Sequence, residues 1–344
     1  MYEDAKELIS TANKILVIQA DNPDADSLGS ALALEQILGE MGKSVYLYCG
    51  VDIPSYLQYL KGWDRVLREV PSSFDSSIIV DTSAISLLQK LQDSGKQHLL
   101  ASKPCVVLDH HGETKNDIPF ATTVINDPQV SSTGELIFKI SKTLGWKLDE
   151  HSAGQMMTAI LGDTQGLTNN LARVETYRVM AELIQLGANR PRLEELRREA
   201  SKMHPLIFAY KARLIERTEF QADGRIASVM IPQDEISEFS PLYNPAPLIQ
   251  PDMLQTSGVC AAIVFKTYKD GKILCSIRCN QGSPIGAKLA EHFGGGGHDY
   301  ASGFKIQDGR PFNEIKSECI GYATELLDKI QRDHKDETLQ HTVA

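Results

Sequence analysis

A chain of 344 residues with 42% hydrophobic and 23% charged residues has a globular balance and is too long for one typical core, so two domains are expected. No apolar run approaches bilayer length, and residues 1–14 are polar and helical in pattern, unlike a signal peptide, so the chain reads as soluble, cytoplasmic and not bound to a membrane. A net charge of −10 without a basic run argues against a protein that coats long duplex nucleic acid, because phosphate contacts dominate such binding, and leaves short oligonucleotides or small nucleotides as the fitting anions.

The first half alternates strand and helix patterns. Residues 15–20, a short apolar run, and 44–49 are read as strands, and 78–80 and 106–108 as two more, each nearly all apolar, as strands buried on both faces are. Helical patterns cover residues 27–41, with Gly42 as the C-terminal cap, and residues 83–92, 133–144 and 151–162. This rhythm predicts an α/β domain over residues 1–187, a parallel sheet with helices on both faces and ligands bound beyond the carboxyl ends of the strands. Residues 175–186, 192–203 and 205–217 continue as helices, and a helical linker is placed at 188–222. A smaller α/β domain with a mixed sheet is expected over 223–335. Strands there fall at 226–231 and within 259–280, with a hairpin at Asp270-Gly271, and helices at 284–292 and 312–330. Residues 336–344 form a polar tail, with fraying expected after Gln331. The six cysteines, Cys49, Cys105, Cys260, Cys275, Cys279 and Cys319, form no CxxC pair and read as reduced, mostly buried thiols.

Acidic and imidazole residues cluster at strand ends. Asp24 and Asp26 follow the first strand, Asp81 follows residues 78–80, and Asp109-His110-His111 follows residues 106–108. Asp163 ends the apolar helix at residues 156–161. Singly, each Asp has a plain explanation as a helix cap or turn residue. Adjacent histidines after a buried strand do not, since a turn needs neither ring. In a parallel sheet these positions converge on one edge, where massed carboxylates repel unless divalent cations join them. Carboxylate with imidazole suits Mn²⁺, and also Fe, Co or Zn, and two such ions support in-line attack on phosphorus.

The set Asn22-Pro23-Asp24-Ala25-Asp26-Ser27-Leu28-Gly29-Ser30, Asp81, Asp109-His110-His111 and Asp163-Thr164 resembles the ordered motifs of the DHH phosphoesterase superfamily. Gly294-Gly295-Gly296-Gly297-His298 resembles the signature of the C-terminal domain that accompanies it in nanoRNases, RecJ-type exonucleases and cyclic-dinucleotide phosphodiesterases. The resemblance spans nearly the whole chain. It implies two Mn²⁺ ions, with Mg²⁺, Co²⁺ or Fe²⁺ as substitutes. Asp26, His110 and Asp163 match the ligands of one ion, Asp24 matches a ligand of the other, and Asp81 the bridging carboxylate. Asp109 would orient His110, and His111 would contact the scissile phosphate and protonate the leaving oxygen. Arg278, on the polar face of a strand, and residues Gly294, Gly295, Gly296, Gly297 and His298 would hold a substrate phosphate as the domains close. Ser131-Ser132-Thr133 also matches a family segment, although its position favours a helix cap. Relatives are often homodimers.

One position departs from the pattern. The family carries a His three residues before the Pro of its first motif, and that position is Ala20. The second ion thereby loses its imidazole ligand, with Gln19, Asp21 or Asn22 as the nearest replacements. The implied activity is metal-dependent hydrolysis of nanoRNA, linear or cyclic dinucleotides, or 3′-phosphoadenosine 5′-phosphate. The alternative is a catalytically weakened nucleotide-binding protein derived from such an enzyme. RecJ-type exonucleases, pyrophosphatases and membrane-bound phosphodiesterases fit less well.

Overall fold

The computed structural model describes residues 2–112, 116–239 and 243–342. The chain divides into two compact units, Met1–Lys202 and Met203–Ala344.

In the first unit, α1 (Glu3–Thr11) leads into β1 (Lys14–Ile18), α2 (Ala25–Glu40), β2 (Ser44–Tyr48), β3 (Val66–Leu67) and β4 (Ser76–Val80). Then come α3 (Gln89–Asp93), α4 (Gln97–Ala101), β5 (Cys105–Asp109), β6 (Thr123–Asn126), α5 (Thr133–Leu144), α6 (Glu150–Asp163), α7 (Val174–Gln185) and α8 (Arg190–Ala200). The sheet order is β3-β2-β1-β4-β5-β6, and every pair is parallel, as expected. Alternate residues of the strands face two cores. Ile15, Val17, Ile78, Val80, Val106 and Leu108 pack with residues of α2, α5 and α6. Leu16, Ile18, Ile79, Cys105 and Val107 pack with Leu88, Leu91 and Leu100. Both faces being covered, the strands carry no polar alternation, which is why they read as unbroken apolar runs.

Two local readings change. The helix expected over residues 83–92 is a 3₁₀ turn, Ile85–Leu88, followed by the short α3. The chain leaves β4 through Asp81 in the left-handed region (φ 63°), and the Ile85 amide donates to the Asp117 carboxylate at 2.6 Å, so no regular helix starts at Ser83. Strands β3 and β6 were not expected. They are short edge strands whose Leu67 and Val124 are exposed, so they lack an apolar signature.

Three helices meet closely beside this sheet. A Cβ at Gly29 of α2 would lie 2.8 Å from the Gln155 carbonyl of α6, and one at Gly134 of α5 would collide with the Ala159 side chain. Glycine at these places brings the N-termini of α2 and α5 up to the C-terminus of α6, which is where the acidic residues sit.

The second unit runs α9 (Pro205–Arg217), β7 (Glu219–Gln221), β8 (Ile226–Pro232), α10 (Gln233–Phe239), α11 (Pro245–Gln255), β9 (Ala261–Thr267) and β10 (Ile273–Cys279). It closes with α12 (Gly286–His292), β11 (Gly296–His298), β12 (Ala301–Ile306) and α13 (Phe312–Thr342). The sheet is mixed, in the order β11-β12-β10-β9-β8-β7, with β8 and β9 parallel and the other pairs antiparallel. The hairpin at Asp270-Gly271 joins β9 to β10, with Gly271 at φ 80°. Helices α7, α8 and α9 form the helical stretch between the sheets. Helix α13 continues to Thr342, through the segment whose polar composition predicts fraying.

Replacing Gly29 by Val should overpack the contact between α2 and α6 and destabilise the first unit by about 1–3 kcal/mol. Chemical denaturation of the two proteins measures it, and an unchanged midpoint would contradict this packing.

Candidate metal centre and active site

The strand register sets up the site. β4 and β5 pair Val80 with Leu108, and the Asp81 amide continues the ladder by donating to the Leu108 carbonyl at 2.9 Å. Asp81 and Asp109 therefore emerge side by side at the carboxyl edge. Asp81 holds a conformation that non-glycine residues rarely adopt, the kind of backbone strain that gathers at functional sites.

Asp26, Asp81, His110 and Asp163 come together there. Each offers one ligand atom, and these atoms lie within 4.8 Å of one another. The His110 Nε2 atom is the centre of the group: Asp163 Oδ2 is 3.0 Å away, and Asp26 Oδ2 and Asp81 Oδ1 are each 3.5 Å away. This nitrogen is buried and makes no hydrogen bond. A buried nitrogen with oxygens this close but no aligned hydrogen bond is poorly satisfied, and a cation held among them would satisfy it. The donor set of three carboxylates and one imidazole fits a divalent ion of the Mn²⁺, Fe²⁺, Co²⁺ or Zn²⁺ kind. A second overlapping set, Asp81, His110 and His111, shares two of its members.

Charge and burial conflict in this group. Burial, reinforced by the charge of Asp163, raises the Asp26 pKa, and burial with the charge of Asp26 raises that of Asp81. For His110, burial favours the neutral ring, but the facing carboxylates of Asp163 and Asp81 outweigh it and raise the pKa. With no cation bound, the site therefore holds protons.

Asp109 works differently from the expectation that it orients His110. Its Oδ1 accepts from the His110 amide at 2.8 Å and sits 2.7 Å from His111 Nδ1, while Oδ2 accepts from Ser83 Oγ at 2.5 Å. The ring it fixes is that of His111. Burial opposes the charge on Asp109, but the bonds from His111 and Ser83 win and lower its pKa. In return, the bond to Asp109 raises the His111 pKa.

Asp24 stands outside the four-residue group. It is exposed and caps α2: its Oδ1 accepts from the Ser27 amide at 2.9 Å, and Ser27 Oγ accepts from the Asp24 amide at 2.9 Å. Ala20 is buried and offers only a methyl group. Among its neighbours, Asp21 Oδ2 is occupied by the Lys90 amide at 2.7 Å, Asn22 is exposed, and Gln19 is fully buried with neither amide atom hydrogen-bonded.

Other contributors were not foreseen as such. Asp26 accepts from Ser30 Oγ and from the amides of Thr133 and Gly134, and Thr133 Oγ1 reaches Asp81 Oδ1 at 3.3 Å. The cap expected within Ser131-Ser132-Thr133 is present at Ser132, whose side chain accepts from the Glu135 amide. The signal for the rest lay in that same run, but main-chain donors leave no trace in residue type.

In the second unit, the β10 face carrying Ser276 and exposed Arg278 alternates with buried Cys275, Ile277 and Cys279. Gly296, Gly297 and His298 form an exposed edge strand paired with β12, so part of the glycine run belongs to the sheet. A Cβ at Gly295 would collide with Gly303, and one at Gly297 would lie 2.6 Å from Ser302, whereas Gly294 and Gly296 face open space. His298 and Arg278 both pair with Ala301, from opposite sides of β12. A cavity of about 540 Å³ is lined by Arg278, Ser276, Lys266, Lys305, Gly294 and Gly295 among others. Among the described residues, none of these three cations has an ion-pair partner.

Residues 14–160 match the DHH family, N-terminal domain. The chain is 26% identical over 306 residues to the bifunctional oligoribonuclease and PAP phosphatase NrnA of Bacillus subtilis, covering 87% of this chain and 91% of that one. It is 25% identical over 314 residues to the cyclic-di-AMP phosphodiesterase GdpP of Geobacillus thermodenitrificans, covering 85% of this chain but 44% of that protein. The fold is shared with an exopolyphosphatase-related protein from Bacteroides fragilis, with a TM-score of 0.79 at 21% identity over 95% of this chain and 97% of the other.

Metal uptake should expel the protons that the free site holds. Calorimetric Mn²⁺ titrations near pH 7, in buffers of different ionisation enthalpy, should show release of about one proton or more per ion. Because the protonated ligands are the competing state, affinity should fall as pH is lowered. Affinity independent of pH, with no proton release, would remove these groups as ligands.

Proposed function

We propose that this chain, whose first unit carries a DHH-family phosphoesterase domain with a metal-dependent active site, hydrolyses phosphoester bonds in short oligoribonucleotides and small nucleotides. The observation that carries the reading is the buried, unbonded His110 Nε2 facing three carboxylates. The likeness to an oligoribonuclease and PAP phosphatase over nearly the full length of both chains supports the substrate class. NanoRNA, linear dinucleotides and 3′-phosphoadenosine 5′-phosphate are the preferred substrates, with cyclic dinucleotides behind them. We place the chain in the cytoplasm, where such short fragments arise.

Asp26, Asp81, His110 and Asp163 hold Mn²⁺ in this reading. When bound, the ion supplies Lewis-acid polarisation of the phosphoryl group and activation of the attacking water. His111 acts beside it. Asp109 holds Nδ1, which leaves Nε2 as the nitrogen that addresses substrate, and the bond to Asp109 favours the protonated ring, from which Nε2–H donates to the leaving oxygen. Asp109 itself stays ionised through its bonds to Ser83 and His111. Arg278, His298 and the glycine segment hold a substrate phosphate away from the cleaved bond, Arg278 through two parallel N–H donors. The three unpaired cations around that cavity suit an anion in a chain of net charge −10.

A second reading is favoured by one observation: Ala20 gives no ligand, and Asp24 is engaged as a helix cap. On that reading the site binds one ion tightly, a second ion only weakly, and turnover is slow.

Assays with a short RNA, a cyclic dinucleotide, its linear product and the nucleoside bisphosphate, each with Mn²⁺ and with Mg²⁺, test the proposal. Turnover of linear substrates with Mn²⁺, abolished by chelator and restored by Mn²⁺, is expected. Binding without turnover under every condition would favour the second reading. Ala20→His should add a second tightly bound Mn²⁺ per chain and raise the rate, which metal analysis and kinetics check together. Arg278→Ala should raise KM by about 10-fold or more with little change in kcat, since a charge-assisted bidentate bond to phosphate is lost.

A further inference from the structure

The acidic group is held from behind by the start of α5. The first N–H groups of a helix have no partner inside it. In α5 the amides of Thr133 and Gly134 both donate to Asp26, to Oδ2 at 2.7 Å and to Oδ1 at 3.0 Å, and the Glu135 amide donates to Ser132 Oγ at 3.1 Å. Asp26 is fully buried, and its Oδ2 is the atom that faces His110 Nε2. Two main-chain donors on one carboxylate fix both its position and the plane of its oxygens. Main-chain groups cannot change rotamer, so this cradle is stiffer than any side chain in the same place.

The cradle is itself locked. Glu135 is completely buried, and its Oε2 accepts from the Ser131 amide at 3.1 Å, Ser131 Oγ at 2.6 Å and Thr176 Oγ1 of α7 at 2.9 Å. A buried carboxylate is expensive without partners, and here Oε2 has three while Oε1, which makes no hydrogen bond, faces Lys139 Nζ at 4.0 Å. Its bonds hold residue 131, and through it the entry to α5, against α7. Gly134 packs against Ala159 of α6, the helix that ends at Asp163, so the same turn also bears on a second member of the group.

We propose that the first turn of α5 is the positioning element of the metal centre, with the amides of Thr133 and Gly134 orienting Asp26 and Glu135 acting as the positioning residue that locks the turn. The inference rests on the metal-dependent reading above and adds to it a source of metal affinity that lies in the backbone.

Thr133 permits a test of one atom. It is the first residue of α5, where proline is well accepted, and Ser132 before it is extended (φ −166°, ψ 162°), as a residue preceding proline prefers. Thr133→Pro thus deletes the N–H that reaches Asp26 while keeping the helix. Thr133→Ser keeps both the N–H and the hydroxyl, and Thr133→Val removes only the hydroxyl bonded to Asp81. Mn²⁺ affinity of the full chain is measured by calorimetry, and the melting temperature of the metal-free protein serves as the folding control. Thr133→Pro should weaken Mn²⁺ binding by about 10-fold or more, the usual cost of losing a group that orients a ligand. Thr133→Ser should match wild type, Thr133→Val should lie between, and the metal-free melting temperatures should stay together. Wild-type affinity in Thr133→Pro overturns the proposal. Should that variant fail to fold, Glu135→Gln, which keeps the volume, decides: a loosened Mn²⁺ site supports the proposal and an unchanged one overturns it. A wild-type protein that binds no Mn²⁺ would instead dispose of the metal reading itself.

Discussion

Three carboxylates around one buried imidazole nitrogen set the terms for the rest of the first unit. Asp26, Asp81 and Asp163 stand within 3.5 Å of His110 Nε2, in a setting that screens charge poorly. Without a cation, burial and the neighbouring carboxylate charge raise the pKa of Asp26 and of Asp81, and the facing carboxylates raise that of His110. Such an arrangement is a weak source of stability, because taking these ions out of water offsets much of what their mutual attraction returns. A divalent ion would turn the same repulsion into affinity, in place of the protons that otherwise relieve it.

Bringing the four groups so close depends on backbone more than on side chains. Asp26 lies in the first turn of α2, Asp163 in the last turn of α6, and the amides that hold Asp26 in the first turn of α5. These three ends meet because glycine stands at positions 29 and 134, where any Cβ would strike α6. Asp81 and His110 come from the neighbouring strands β4 and β5, whose parallel pairing places them at one edge. Work is then divided between neighbours in sequence: His110 joins the carboxylate group, while Asp109 takes the ring of His111, its own next neighbour but one.

The second unit gathers positive charge at one place in an acidic chain. Its mixed sheet presents Arg278, Lys266 and Lys305 around one cavity, and its edge strand leaves Gly294 and Gly296 without obstruction. Glycine serves two ends within this short run. Gly295 and Gly297 allow the strand to close on β12, and Gly294 and Gly296 border open space.

Much of this was legible in the residues alone. Strands β1, β4 and β5 declare themselves as runs of Ile, Val and Leu because both faces of the sheet are covered, and the Asp270-Gly271 turn marks its hairpin. The donors are legible too, since acidic and imidazole residues directly after buried strands must lie at the carboxyl edge of a parallel sheet. Tertiary structure decided how those donors are used. Asp24 and Asp26 look equivalent in the chain, yet Asp24 is the extended residue before α2 (φ −127°, ψ −166°) and Asp26 lies inside its first turn. One therefore caps α2 in the open, while the other points inward to His110. The amides of Thr133 and Gly134 have no side-chain signature at all, and residue type does not say which of two adjacent rings Asp109 takes. Periodicity is a local property that the chain carries in its residue types, whereas the meeting of one oxygen with one nitrogen depends on how closely distant segments pack, and that is fixed only when the whole unit has folded.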